Sequence, residues 1–218
     1  MYNDLTAKSW KDTMEKIRKC HLSLIDETKC ETKDWKDAFD SLVASIQEER
    51  KAYPEFSPEI EDLTKATGST YEFADILEEY FDHIEEQGDW NDVIDSSEKI
   101  IKLFKWTDKF PSEYMYRKGN ALEKMGKLDE AEKFGQEWLK QYPEDLYAVA
   151  SNVFILCEKK ELDKAKELTH KYLHDDLMCD KNSDTFFMAA YRLCELTNDI
   201  NAKQRIEEKI QEYLKFAE

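Results

Sequence analysis

The chain has 218 residues and a formal net charge of −17, and so acidic a surface lacks the clustered Lys and Arg that bind phosphate backbones or anionic membranes. Its 5 Gly and 4 Pro are too few to turn an all-β chain. A content of 41% hydrophobic and 37% charged residues suits many helices with one dry face and one wet face.

Eleven Phe, eleven Tyr and five Trp supply the apolar area that disordered chains lack. The opening stretch MYNDLTAKSWKDTMEK carries no apolar core or cleavage site of a signal peptide, and no run reaches the ~20 apolar residues of a membrane span. A cytoplasmic protein is expected. The five cysteines, Cys20, Cys30, Cys157, Cys179 and Cys194, are odd in number and contain no C-x-x-C pair. They read as thiols in a reducing compartment, with Cys157 and Cys194 inside apolar helical patterns.

In chain order, residues 4–26 read as a helix with Trp10, Met14 and Ile17 at helical spacing, followed by Leu24 and Ile25. A second helix over about 34–51 places Trp35, Ala38, Phe39, Leu42, Val43 and Ile46 on one stripe. The stretch 52–69 is irregular. Ser57, Pro58 and Glu59 start a short helix over about 59–66, and Gly68 breaks it, which makes this segment the candidate hinge. A second hairpin covers about 70–106. Phe73, Ile76, Leu77, Tyr80, Phe81 and Ile84 form its first stripe, Gly88 ends that helix, and Asp89 is placed to cap the next. A third hairpin runs over 112–143, a fourth over 145–178, and a fifth over 183–217 after a polar loop at about 175–182. The last helix sets Ile206, Ile210 and Leu214 against Glu207, Glu208, Gln211, Glu212 and Lys215, the polar outer face that ends a stacked array.

The stretch Ser112–Asp145 resembles a tetratricopeptide repeat, a 34-residue helix–turn–helix with small or apolar residues at fixed offsets. Gly119 stands where the first helix lets its partner approach, Leu122 follows, Ala131 is the small residue of the second helix, and Pro143 closes the unit. A step of 34 residues carries Leu128 onto Leu162 and Ala131 onto Ala165. Gly88-Asp89-Trp90 followed by Val93 aligns with Gly126-Lys127-Leu128 followed by Ala131. Asp34–Trp35 followed by Ala38 echoes the start of a repeat's second helix. The resemblance implies an all-α, right-handed superhelix (an α-solenoid) of about five antiparallel hairpins. Residues 1–69 then form a degenerate N-terminal cap and connector, and residues 70–218 carry the repeats.

In such arrays the first helix of each pair lines a concave groove. The resemblance therefore implies a partner-binding set of Glu78, Glu79, Asp82, Tyr116, Asn120, Tyr147, Phe154 and Tyr191, with Ala150, Ser151 and Phe187 in the same row. Residues 70–87 hold seven acids and no Lys or Arg. They read either as a groove wall that recruits a Lys/Arg-bearing peptide or as the solvated face of a protein acidic throughout. Asn120 reads either as a main-chain clamp, since its amide both donates and accepts, or as an ordinary surface residue. The four aromatics offer stacking pockets or inter-repeat packing. Chaperone-partner modules of this family use a basic carboxylate clamp, and here Glu78 and Asp82 stand in its place with the wrong sign.

The expected function is a non-enzymatic scaffold for a protein or peptide, with no cofactor and no metal. The alternative is a sensor of a short free peptide hinged at 52–69. A metal or enzymatic role for His170 and His174, four apart near Asp175, Asp176 and Cys179, stands further off, because the H-E-x-x-H pattern is missing.

Overall fold

In a computed structural model, residues 8–26, 30–66, 72–107 and 110–217 are described. They form eleven helices and, among the described residues, no strand. No helix is long and apolar enough to cross a membrane among the described residues. The chain divides into two compact units, residues 1–109 and 110–218. The segment read from sequence as a cap therefore shares a unit with the 70–106 hairpin.

The first unit contains α1 (Lys8–Asp26), α2 (Thr32–Ala52), α3 (Ile60–Ala66), α4 (Phe73–Glu86) and α5 (Trp90–Leu103). Helices α1 and α2 pack as a hairpin, burying Trp10, Ile17 and Cys20 against Trp35, Ala38, Leu42 and Ile46. Polar ties run up its seam. The Thr13 and Ser45 hydroxyls lie 2.8 Å apart, and the Trp10 indole donates to Glu49 at 3.3 Å. At the base of α2, the Glu31 N–H donates to Asp34 at 3.2 Å, closing a capping box.

Helix α4 lies against α2, α3 and α5. Its apolar stripe is the one the periodicity predicts, with Phe73, Ile76, Leu77, Tyr80, Phe81 and Ile84 all buried. The Tyr80 ring stacks on Phe39 at 4.3 Å, and its hydroxyl lies 2.7 Å from that of Ser96. Burial, the largest influence, pushes the Tyr80 phenol up to about 12. Gly88 ends α4 with φ of +74°, a left-handed conformation that costs a glycine little. Asp89 makes no side-chain cap to α5. Its carboxylate takes the Lys36 ammonium of α2 at 2.6 Å, as does Asp92. An acid at the start of a helix satisfies the helix dipole either way, and here it also ties α5 to α2.

The described part of the expected hinge is pinned. Arg50 donates to the carbonyls of Phe56 and Leu103, the Phe56 bond at 2.7 Å. Lys105 N–H donates to Pro58 at 2.9 Å, and Thr107 donates to Glu59 at 2.5 Å. Gly68, residues 4–7 and the side chains of Leu24 and Ile25 lie outside the described residues.

The second unit contains α6 (Ser112–Lys124), α7 (Leu128–Gln141), α8 (Leu146–Glu158), α9 (Leu162–Tyr172), α10 (Asp184–Thr197) and α11 (Ile200–Ala217). Helix α8 is its centre and packs against α6, α7, α9 and α10. Its sequence, LYAVASNVFILCE, is apolar nearly all round, as a helix surrounded by neighbours must be. Val149, Ala150, Val153, Leu156 and Cys157 join Ala165, Phe186, Ala189 and Leu193 in one core. A smaller core forms where α10 meets α11, around Phe187, Ala190, Cys194 and Ile206.

Candidate functional site

Five of the expected binding residues fall in the second unit, and their positions follow from how α6, α8 and α10 succeed one another. A Cβ at Gly119 would sit 3.0 Å from the Ser151 hydroxyl of α8 and 3.8 Å from the Phe134 ring of α7. The closest approach at this glycine is thus from the first helix of the next hairpin, not only from its own partner. Gly135 does the same for α7 and α8. A Cβ there would fall 3.0 Å from the amide of Asn152, which is buried and donates to the carbonyls of Gly135 and Ala148, both at 2.8 Å.

The second junction is Asp145. Its buried carboxylate caps α8 by accepting the Tyr147 N–H at 3.0 Å. It also accepts the Trp138 indole of α7 at 3.0 Å and the Ser112 hydroxyl of α6 at 2.7 Å. One side chain therefore fixes the starts of α6 and α8 and the end of α7. A buried carboxylate surrounded by donors is tolerated because each oxygen has partners. The sequence points to Pro143 as the closing residue, whereas Asp145 holds this junction. The signal was an acid directly before the apolar run of α8, the usual mark of a cap.

These junctions bring two of the expected residues together. The rings of Tyr116 on α6 and Tyr147 on α8 meet edge to face, with centroids 6.0 Å apart and planes at 67°. Both are half-buried. Burial, the largest cause, raises the pKa of the Tyr147 phenol, and the charges of Asp184, Glu113 and Asp145 push the same way. Tyr147 therefore feels the charge of acids from α6 and from the start of α10, and Glu113 also pairs with Arg117 at 3.3 Å. Asn120 follows Tyr116 by one helical turn and is half-buried. Beyond it, Glu123 has its pKa raised mainly by burial, with Glu158 of α8 adding to the effect and Lys124 opposing it.

The remaining residues divide. Phe154 is half-buried and packs on the core around α8. Tyr191 faces α11, where the Lys203 ammonium lies 4.6 Å from its ring centroid and also pairs with Glu195 at 2.9 Å. Three residues of the same row are not groove residues. Ala150, Ser151 and Phe187 are buried, at 0%, 4% and 0% exposure, because α8 and α10 are packed on more sides than one hairpin predicts.

Glu78, Glu79 and Asp82 belong to the first unit. With the apolar stripe of α4 turned onto α2, α3 and α5, Glu78 and Asp82 are exposed and Glu79 is half-buried. Asp75 and Glu86 continue this exposed acidic face.

His170 and His174 line a hollow with Leu173, Asp175, Arg205 and Lys209. Arg205 and Lys209 are cations with no lone pair for a metal, and Lys209 already donates to the carbonyls of Asp175 and Leu177, at 2.6 and 2.5 Å. No group of three or more potential metal ligands occurs among the described residues.

No protein-family model and no curated protein matches this sequence.

Proposed function

We propose that the second unit is a tetratricopeptide-like array, part of an α-solenoid, and that the protein is a non-enzymatic cytoplasmic scaffold. Its ligand is a segment of a protein or peptide bearing Lys or Arg, held along α6, α8 and α10. The observation that carries this reading is the succession of first helices, in which α8 packs on both α6 and α10 while the rings of Tyr116 and Tyr147 meet and the charges of Glu113 and Asp184 act on Tyr147. Aromatic faces next to carboxylates suit a cation twice over, through the ring quadrupole and through direct charge. A net charge of −17 favours encounter with a basic partner. Asn120, one turn from Tyr116 and half-buried, is assigned to the ligand's main chain. Tyr191 takes a supporting place, since Lys203 already occupies its ring. The acidic face of α4, with Glu78, Glu79 and Asp82, is assigned to long-range attraction of the same partner.

The test is a fluorescence-polarisation screen of an arrayed library of short peptides, half of them Lys/Arg-rich and half Asp/Glu-rich. The reading expects binders in the first half only. It also expects affinity to fall at least tenfold in Tyr116→Ala and Asn120→Ala variants that keep the wild-type circular dichroism. Selection of acidic peptides, or unchanged affinity in both variants, overturns it.

A further inference from the structure

The first hairpin carries two thiols that face each other. Cys20, on α1, is fully buried, and Cys30, just before α2, is half-buried. Their sulfurs lie 3.3 Å apart. We propose that Cys20 and Cys30 form a reversible disulfide by exchange with a low-molecular-weight disulfide of the oxidised-glutathione class, which staples α1 to the chain entering α2.

The sulfurs have little distance to close. A disulfide has its sulfurs about 2.05 Å apart, so they need to close by only about 1.3 Å. Helices α1 and α2 are already tied at this end of the hairpin by the Lys19–Asp34 ion pair at 2.7 Å, one residue before Cys20 and four after Cys30. The two thiols also differ in a way that orders the chemistry. Burial, and then the hydrogen bond from Cys30, keep the Cys20 thiol protonated. The more accessible Cys30 is therefore the sulfur that meets the oxidant first. Cys157 and Cys179 are buried and pushed up to about 11, and Cys194 is buried and shifted the same way.

The exchange balances without any other reactant. Cys30 loses its proton, and its thiolate attacks one sulfur of oxidised glutathione. A mixed disulfide forms, and the first glutathione leaves as a thiolate that takes up a proton. Cys20 then loses its proton and attacks the Cys30 sulfur. The mixed disulfide breaks, and the second glutathione leaves as a thiol. The two protein thiols are oxidised by two electrons, and one glutathione disulfide is reduced to two thiols. Excess reduced glutathione runs the steps backwards.

The proposal stands independently of any binding face in the second unit. To test it, the reduced full-length protein is incubated with oxidised glutathione, quenched with acid, and digested with trypsin without reductant. Cleavage after Lys19, Lys29 and Lys33 puts the two cysteines in separate peptides. The expected result is a linked pair, 20–29 joined to 30–33, reversed by reduced glutathione and accompanied by an upward shift in melting temperature of roughly 5 °C. Cys20→Ala is expected to keep one glutathione on Cys30, while Cys30→Ser yields no linked peptide. A glutathione adduct that persists on wild-type Cys30, a link to any other cysteine, or no reaction in protein of native circular dichroism overturns the proposal.

Discussion

In the second unit, α8 touches four other helices and is tied to its neighbours by two buried polar side chains, Asp145 and Asn152. In the first unit, the irregular chain between α2 and α3 is held by a half-buried cation, Arg50, which reaches the carbonyls of Phe56 and Leu103 from the end of α2, and by bonds from Lys105 and Thr107 to Pro58 and Glu59. Where helix pairs succeed one another regularly, the ties lie at helix starts and glycine contacts, and each serves two or three helices. Where the chain departs from regular pairing, a long side chain must satisfy loop carbonyls that no helix satisfies. The junctions around α8 are therefore short, buried and shared, while the irregular chain after α2 is held by longer reaches from Arg50 and from the residues that follow α5.

The largest effect that would sharpen this contrast is expected at Asp145. Asp145→Ala removes a helix cap and leaves the buried Trp138 indole without an acceptor, a loss of roughly 3 kcal/mol. Urea melts followed by tryptophan fluorescence measure it, and an effect below about 1 kcal/mol would break the account of the junction. Arg50→Ala is expected to cost roughly 2 kcal/mol, by removing the charged hydrogen bonds that the Phe56 and Leu103 carbonyls accept. It should also open residues 53–59 to limited proteolysis while leaving residues 110–217 resistant. Arg50→Lys should recover only part of the loss, because a lysine cannot serve both carbonyls with a planar fork.

A smaller and more specific effect is expected between Gly135 and Asn152. Gly135→Ala alone forces its new methyl against the Asn152 amide. In an Asn152→Ala background that obstruction is gone, so the two changes should cost less together than the sum of each alone, by about 1 kcal/mol. Strict additivity in a double-mutant cycle would show that the contact carries no energy. The smallest effect is at Glu123, whose pKa burial raises. An acid with a raised folded pKa favours the native state while protonated. That contribution is lost as pH rises from the unfolded value through the folded one. Glu123→Gln should therefore be slightly more stable than wild type at pH 7 and equal to it near pH 4, as read from melting temperatures across that range.

Much of the fold is legible in the sequence because each helix carries its own periodicity. The stripe of α4 and the helix starts at Ser112 and Leu146 appear in the structure within a residue or two of where the pattern puts them. Gly88 and Gly126 mark turns with positive φ. The burial of Ala150, Ser151 and Phe187 was not legible, because it depends on which helices surround α8 and α10, a tertiary fact with no local signature. The tie between Asp89 and Lys36 was not legible for a similar reason: the two lie 53 residues apart. Tyr116 and Tyr147 were legible as candidates, but their pairing required the packing of α6 on α8.

The most direct test of the account is a nuclear magnetic resonance titration of the full-length protein with the tightest Lys/Arg-rich peptide from the screen, following the Asn120 side-chain amide and the backbone amides of all helices. The account predicts saturable shifts at Tyr116, Asn120 and Tyr147 and along α10, with the outward residues of α7 and α9 unmoved. Shifts confined to α7 and α9, or spread evenly along the chain without saturation, would contradict it.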